Sequence, residues 1–142
     1  MSGFLLDTNV PSELTRNQPE KRVVQWLEAA SDEQLFVSVV TLGELRKGFA
    51  ILPAGKRRVF LKAWMQEELW PWFAGRILPI TQSIADRWGR LDADCQLRGT
   101  PLNTADGMIA ATALEHDLTV VTRNVKDFTH LSVAIFSPWE GS

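Results

Sequence analysis

Apolar residues in this chain fall into short runs separated by stretches where they recur every three or four positions, and this alternation sets the expected fold. Gly3-Phe4-Leu5-Leu6 is an apolar run ending at Asp7-Thr8-Asn9-Val10-Pro11, whose Asp, Asn and Pro are turn and helix-start residues. A buried first strand ending at Asp7 is expected. Beyond Pro19-Glu20, Val23, Trp26, Leu27 and Ala30 keep helical spacing with charges between them. Leu35-Phe36-Val37-Ser38-Val39 reads as a second strand. Thr41-Leu42-Gly43-Glu44 then has the pattern of a capping box, which predicts a helix starting near Thr41 and continued by Leu45, Phe49 and Leu52 as far as Pro53-Ala54-Gly55.

Residues 56–73 read as an amphipathic helix interrupted by Pro71, and Ile77-Leu78-Pro79-Ile80 as a short strand. Thr81 or Ser83 can cap a helix in which Ile84, Trp88, Leu91 and Cys95 recur up to Gly99. Asn103 or Thr104 can start another, carrying Met108, Ile109, Ala111, Thr112 and Leu114. Leu118-Thr119-Val120-Val121-Thr122 and Val133-Ala134-Ile135-Phe136 complete the strands. Short strands alternating with helices predict an α/β fold of three layers, a mostly parallel central sheet flanked by helices on both faces. With no repeat or linker, residues 1–142 are expected to form a single domain.

Composition narrows the function classes. The chain is 45% hydrophobic and 23% charged, which excludes disorder and low-complexity sequence. No apolar run approaches the roughly 18 residues needed to span a bilayer, and the Met-Ser-Gly start has no signal-peptide pattern, so a cytoplasmic protein without membrane partners is expected. One cysteine, Cys95, cannot form an internal disulfide, and two histidines cannot build a zinc site of the usual kind, so any metal must be held by oxygen. The net charge of −2 lacks the basic excess of a passive nucleic-acid binder. If four of the 17 carboxylates sit in one metal site, however, the remaining thirteen face 15 cations and the rest of the protein is positive.

The acids fall where such a site would lie. Asp7 follows the first strand, Glu44 is read in the first turn of the helix after the second, Asp106 lies in the first turn of the Asn103 helix, and Asp127 follows the Leu118 strand. Groups beyond the carboxyl ends of parallel strands face the ligand crevice. Each acid also has a plain reading as turn residue, capping-box partner, helix-dipole acid or loop charge. Gathered at one edge, they repel one another unless a cation neutralises them, and hard oxygen ligands select magnesium or manganese, ions that typically serve phosphate chemistry.

At these residues the sequence resembles the PIN-domain family, specifically its VapC-type and FitB-like toxins. The resemblance rests on Phe4-Leu5-Leu6-Asp7-Thr8-Asn9, residues 38–45, residues 106–113 and Thr122-Arg123-Asn124-Val125-Lys126-Asp127-Phe128, in that order. It implies a metal-dependent endoribonuclease acting as the toxin of a type II toxin–antitoxin pair. Asp7, Glu44 and Asp106 would be its acidic core, cutting RNA with a water activated by Mg2+ or Mn2+. Many relatives carry an acid where this chain has Asn124, so either Asn124 or Asp127 supplies the fourth position. Thr8 and Asn9 are expected to support the acids or touch substrate, Thr41 to orient Glu44, and Arg123 to meet phosphate.

The resemblance also implies a cognate DNA-binding antitoxin, and an uncompensated acidic cleft would attract an Arg from it. Six Trp and no Tyr, with Trp64, Trp70 and Trp72 close together, fit core and subunit-interface packing and hence a homodimer better than a base-stacking platform. The basic residues Arg46, Lys47, Lys56, Arg57, Arg58 and Lys62 are either a solvated helix face or an RNA-backbone contact. His116 and His130 are read as surface or structural, and Cys95 as core. The alternatives are a PIN-fold nuclease of RNA processing or DNA structure cleavage without an antitoxin, and a receiver-type signalling domain. The receiver would need a phospho-accepting Asp that Leu78-Pro79-Ile80-Thr81 does not offer.

Overall fold

The computed structural model describes residues 3–140. Its element order is β1 (Phe4–Leu6), α1 (Asn9–Glu13), α2 (Lys21–Ala29), β2 (Leu35–Ser38), α3 (Val39–Ala50), α4 (Lys56–Trp64), α5 (Trp70–Trp72), β3 (Ile77–Leu78), α6 (Gln82–Leu97), α7 (Thr104–His116), β4 (Thr119–Val121) and β5 (Ile135–Phe136). The five strands form one sheet in the order β3-β2-β1-β4-β5, and every pairing is parallel. The chain steps outward from β1 through β2 to β3, then crosses to the other side of β1 for β4. The order therefore reverses between β1 and β4, where open α/β sheets place their ligands.

Strand alternation sends successive side chains to opposite faces and builds a core on each. Leu6, Leu35, Val37 and Val121 pack with Val10, Leu45 and Leu61 of the helices and with Phe73 just after α5 on one side, while Leu5 and Val120 pack with Cys95, Ile109 and Ala113 of α6 and α7 on the other. Leu5, Leu6 and Val121 have no exposed surface. Burying each such side chain contributes about 1.5–3 kcal/mol. Cys95 is buried, as its place on the helix suggested. The ladder runs past the strand ends: Asp7 N–H donates to the Val121 carbonyl at 2.9 Å and Thr122 N–H to that of Phe136 at 3.0 Å. These bonds fix both residues at the carboxyl edge.

Several local expectations are corrected. Helix α3 starts at Val39, not near Thr41, because the Ser38 hydroxyl caps it by accepting from Val40 N–H at 3.0 Å. The Thr41–Glu44 capping box does not form, and Glu44 lies beyond the first turn. Pro71 does not interrupt its helix: α4 continues through a π-helical segment, Met65–Leu69, into α5, which contains Pro71. The wider turn makes room for the proline ring against the preceding carbonyls. Between the alternatives left open, Thr81 caps α6 and Asn103 caps α7. Among the described residues no helix is long and apolar enough to cross a membrane.

Candidate active site

Four acids, Asp7, Glu44, Asp106 and Asp127, lie near enough at the carboxyl edge of β1 and β4 to act on one another electrostatically. Asp7 is 5% exposed. Its Oδ1 accepts from Thr8 N–H at 2.8 Å, and its Oδ2 accepts from the Thr122 hydroxyl at 2.8 Å and from Asn9 Nδ2 at 3.3 Å. Asn9 also receives Arg123 N–H on its Oδ1 at 3.1 Å, so the turn after β1 is tied directly to the loop after β4. The Thr8 hydroxyl donates to Glu44 Oε1 at 2.5 Å and lies 3.4 Å from the Thr41 hydroxyl. Thr41 is thus buried beneath the acid, acting through Thr8 rather than through a helix cap. Asp106 stands in the first turn of α7, where Asn103 Oδ1 accepts from Ala105 and Asp106 N–H.

These carboxylates sense one another. Burial foremost raises the proton affinity of Asp7, against hydrogen bonds from Thr122 and Thr8 that lower it, with the charges of Glu44 and Asp127 adding to the rise. Asp106 is pushed up to about 6, first by burial and then by Asp7, Asp127 and Glu44, with every contribution in the same direction. Asp127 thus acts electrostatically on buried Asp7 and half-buried Asp106 from the turn Val125–Asp127. Asn124 is exposed, its N–H donating to the Thr122 hydroxyl at 3.0 Å. Arg123 is exposed at the same edge, its guanidinium 5.8 Å from the centre of the Trp139 ring.

The donor set suits a hard divalent cation: it is all oxygen, mutually repelling, and no Lys, Arg or His forms an ion pair with any of the four acids among the described residues. As the side chains stand, no three His, Cys, Asp or Glu among the described residues close on one point. Glu44 is turned onto Thr8 and Asp7 onto Thr122. Thr122 is the residue that sequence reasoning underweighted. The available signal was a hydroxyl at the end of β4, beside Asp7 across the parallel pairing.

The raised Asp106 makes a stability prediction. Because the folded carboxyl titrates near 6 against an ordinary 3.8, the native state of the metal-free protein holds a proton that the unfolded chain has released. That contribution is present below the ordinary value and lost as pH rises through the folded one. In chelator, Asp106→Asn should therefore melt above the parent at pH 8, the gap narrowing toward pH 4. Melting curves of the pair across that range provide the check, and a gap that does not change with pH would refute the raised affinity.

Trp64 meets Phe49 edge-on at 6.5 Å and Trp72 lies 4.4 Å from Phe73, so both serve the core, while Trp70 is half-exposed. His116 and His130 are exposed and away from these contacts.

Residues 4–133 match the family model of the PIN domain. The chain is 43% identical over 136 residues to Toxin FitB of Neisseria gonorrhoeae, covering 96% of this chain and 98% of that one. It is 40% identical over 137 residues to VapC ribonuclease Y4jK of Sinorhizobium fredii, with coverage of 96% and 98%. Among solved structures, FitAB bound to an IR36 DNA fragment superposes with a TM-score of 0.91 at 41% identity, covering 98% of this chain and 97% of the other.

Proposed function

The chain belongs to the PIN-domain family, and from that premise we propose that it is a Mg2+- or Mn2+-dependent endoribonuclease, the toxin of a type II toxin–antitoxin pair. The observation that carries the reading is the four-carboxylate edge at the strand-order reversal, where burial and then its acidic neighbours push Asp106 up to about 6. Such a cluster stores repulsion that a divalent ion relieves. The names of its relatives, a toxin and a VapC ribonuclease, agree with it.

Asp7, Glu44, Asp106 and Asp127 would hold the metal and are the catalytic acids, with Asp127 favoured over Asn124 as the fourth because its charge reaches both Asp7 and Asp106. A divalent ion supplies polarisation of the scissile phosphate and a lowered pKa for the attacking water. The protein's own groups do the positioning. Three hydrogen bonds lock Asp7, Thr8 holds Glu44, and Asn9 ties the two loops so that the carboxylates keep a fixed spacing. With its raised proton affinity, Asp106 would be the carboxylate to accept a proton from the attacking water. Arg123, free of any acid partner among the described residues, supplies a cation to the RNA backbone.

On the same reading the protein is a single cytoplasmic PIN domain spanning residues 1–142 that forms a homodimer. A DNA-binding antitoxin silences it by placing an Arg in the acidic cleft. Purified protein with labelled RNA is the test: cleavage in manganese that stops in chelator and on adding the antitoxin is expected, and intact RNA in manganese would overturn the reading. Metal should also raise the melting temperature, since it binds the native state alone. At a hundredfold excess over Kd the gain is about 2.7 kcal/mol. Identical melts in chelator and in millimolar manganese would count against convergence of the acids.

A further inference from the structure

A groove of about 370 Å³ opens from the carboxylate edge and runs along α3. Thr8 and Glu44 stand at its head, Leu45, Phe49 and Leu61 form its floor, and Arg16 and Arg57 lie at its far end. The same two arginines line a second concavity with Asn17 and Gln18, so the depression continues beyond them. Ser12 and Thr15 add hydroxyls to one wall.

Charge singles out this end of the molecule. Four arginines elsewhere are held by acids, Arg22 by Glu20, Arg87 by Glu115, Arg90 by Asp86 and Arg98 by Asp94, Arg76 is bound to backbone carbonyls, and Arg123 belongs to the acidic edge itself. No carboxylate among the described residues pairs with Arg57. Its Nη2 donates to the Thr15 carbonyl at 2.6 Å, which anchors the guanidinium while leaving the rest of its fork to a ligand. Arg16 reaches Glu13 only at 3.4 Å and is 59% exposed. Arg46, Arg58 and Lys62, also without acid partners among the described residues, line the adjoining hollow beyond Phe49. In a chain of net charge −2, uncompensated cations gather on the α3–α4 hairpin beside the acidic site, complementary to a polyanion.

Gly48 gives an independent observation. It lines the groove, and a Cβ built on it would meet nothing within 4 Å. Packing does not require glycine there, and glycine inside a helix weakens it. The space above it is open, so the groove has room for a ligand at this point.

We infer that this groove is the path of the substrate strand: RNA leaving the scissile phosphate at Asp7, Glu44 and Asp106 passes over Gly48, and Arg57 with Arg16 takes a backbone phosphate at the far end. This rests on the ribonuclease reading and adds the direction in which the strand runs. The cluster of cations without acid partners among the described residues and its continuity with the carboxylates favour a polyanion, RNA, over a protein segment.

The experiment measures anisotropy of a short fluorescent single-stranded RNA in chelator across a salt series, with kcat and KM in manganese measured alongside. Arg57→Gln should weaken binding, lower the slope of log K against log salt by about 0.7 as one phosphate contact is lost, and raise KM at constant kcat. Gly48→Glu, which fills the passage and repels phosphate, should raise KM more. Arg90→Gln, on the exposed side of α6, should match the parent, and melting curves exclude unfolding. Parental affinity, slope and KM in both groove variants, in a protein that cleaves RNA, would place the strand elsewhere and leave the nuclease reading intact. Absence of cleavage with the slope change retained would reject hydrolysis and support the path. Loss of antitoxin retention by Arg57→Gln with unchanged RNA binding would assign the groove to the protein partner and overturn the inference.

Discussion

Asp7→Asn is expected to lower the turnover of RNA cleavage by about 10²–10³-fold, the range seen when one preorganised electrostatic contact is removed from a reacting centre. The substitution keeps the shape of the side chain and removes one negative charge from the most buried of the four acids. Both Asp7 oxygens accept hydrogen bonds, one from the Thr8 amide and the other from Thr122 and Asn9. An amide group must turn its NH2 toward one of these donors, which disturbs the lock. Against that cost, the variant escapes the burial and repulsion that raise the proton affinity of Asp7. The two stability effects oppose, so the fold is retained while the charge is lost. Asp106→Asn should behave alike in activity. Gel-resolved cleavage of labelled RNA in manganese decides the matter, and turnover near the parent in Asp7→Asn would remove that residue from the mechanism.

The second large effect is at Gly107. A Cβ there would lie 2.7 Å from Trp88 Cδ1 and 2.9 Å from Leu102 Cδ2, closer than real contacts permit. The Trp88 Nε1 is buried without a hydrogen-bond partner among the described residues, and relief requires either the indole or the first turn of α7 to move. That turn carries Asp106. Gly107→Ala is therefore expected to cost about 1–3 kcal/mol through overpacking. A displacement of the carboxylate by about 1 Å would lower turnover by about 10²-fold. At Gly43, where a Cβ meets nothing within 4 Å, the same change should instead stabilise by about 0.5–1 kcal/mol. Pairing Gly107→Ala with Trp88→Leu, which removes the obstructing ring, should recover part of both losses. Denaturant midpoints and cleavage rates measure the two effects. A Gly107→Ala protein as stable and active as the parent would show that α7 is not held by this contact.

Much of this site could be read along the chain because parallel strands declare themselves. Leu5 and Leu6 are apolar on both faces, so the run ends where the polar Asp7 begins, and β4 ends the same way at Thr122. Asp7, Glu44 and Asp106 thus came forward from strand and helix boundaries. Less legible was anything decided by contacts between distant segments. Ser38 and Thr41 are both plausible caps by composition; which one caps depends on Thr41 being buried against Thr8, a contact 33 positions apart in sequence. The π-helical segment before Pro71 and the short helix α1 follow from packing rather than period. The groove to Arg57 joins residues from three helical stretches, and no spacing rule connects them.

The clasp between Asn9 and the loop after β4 also bears on when the protein becomes dangerous to its maker. Its hydrogen bonds link residues 113 and 114 positions apart, and the lock on Asp7 spans 115. Synthesis proceeds from the amino end, so Asp7 and Glu44 emerge long before Asp106, Thr122 and Asp127 exist to complete the edge. Pairing of β1 with β4 must await nearly the whole chain, and contacts of such separation form late. An unfinished polypeptide on the ribosome therefore has half a blade, and the interval before β4 docks is one in which the RNA around the nascent chain is safe from it.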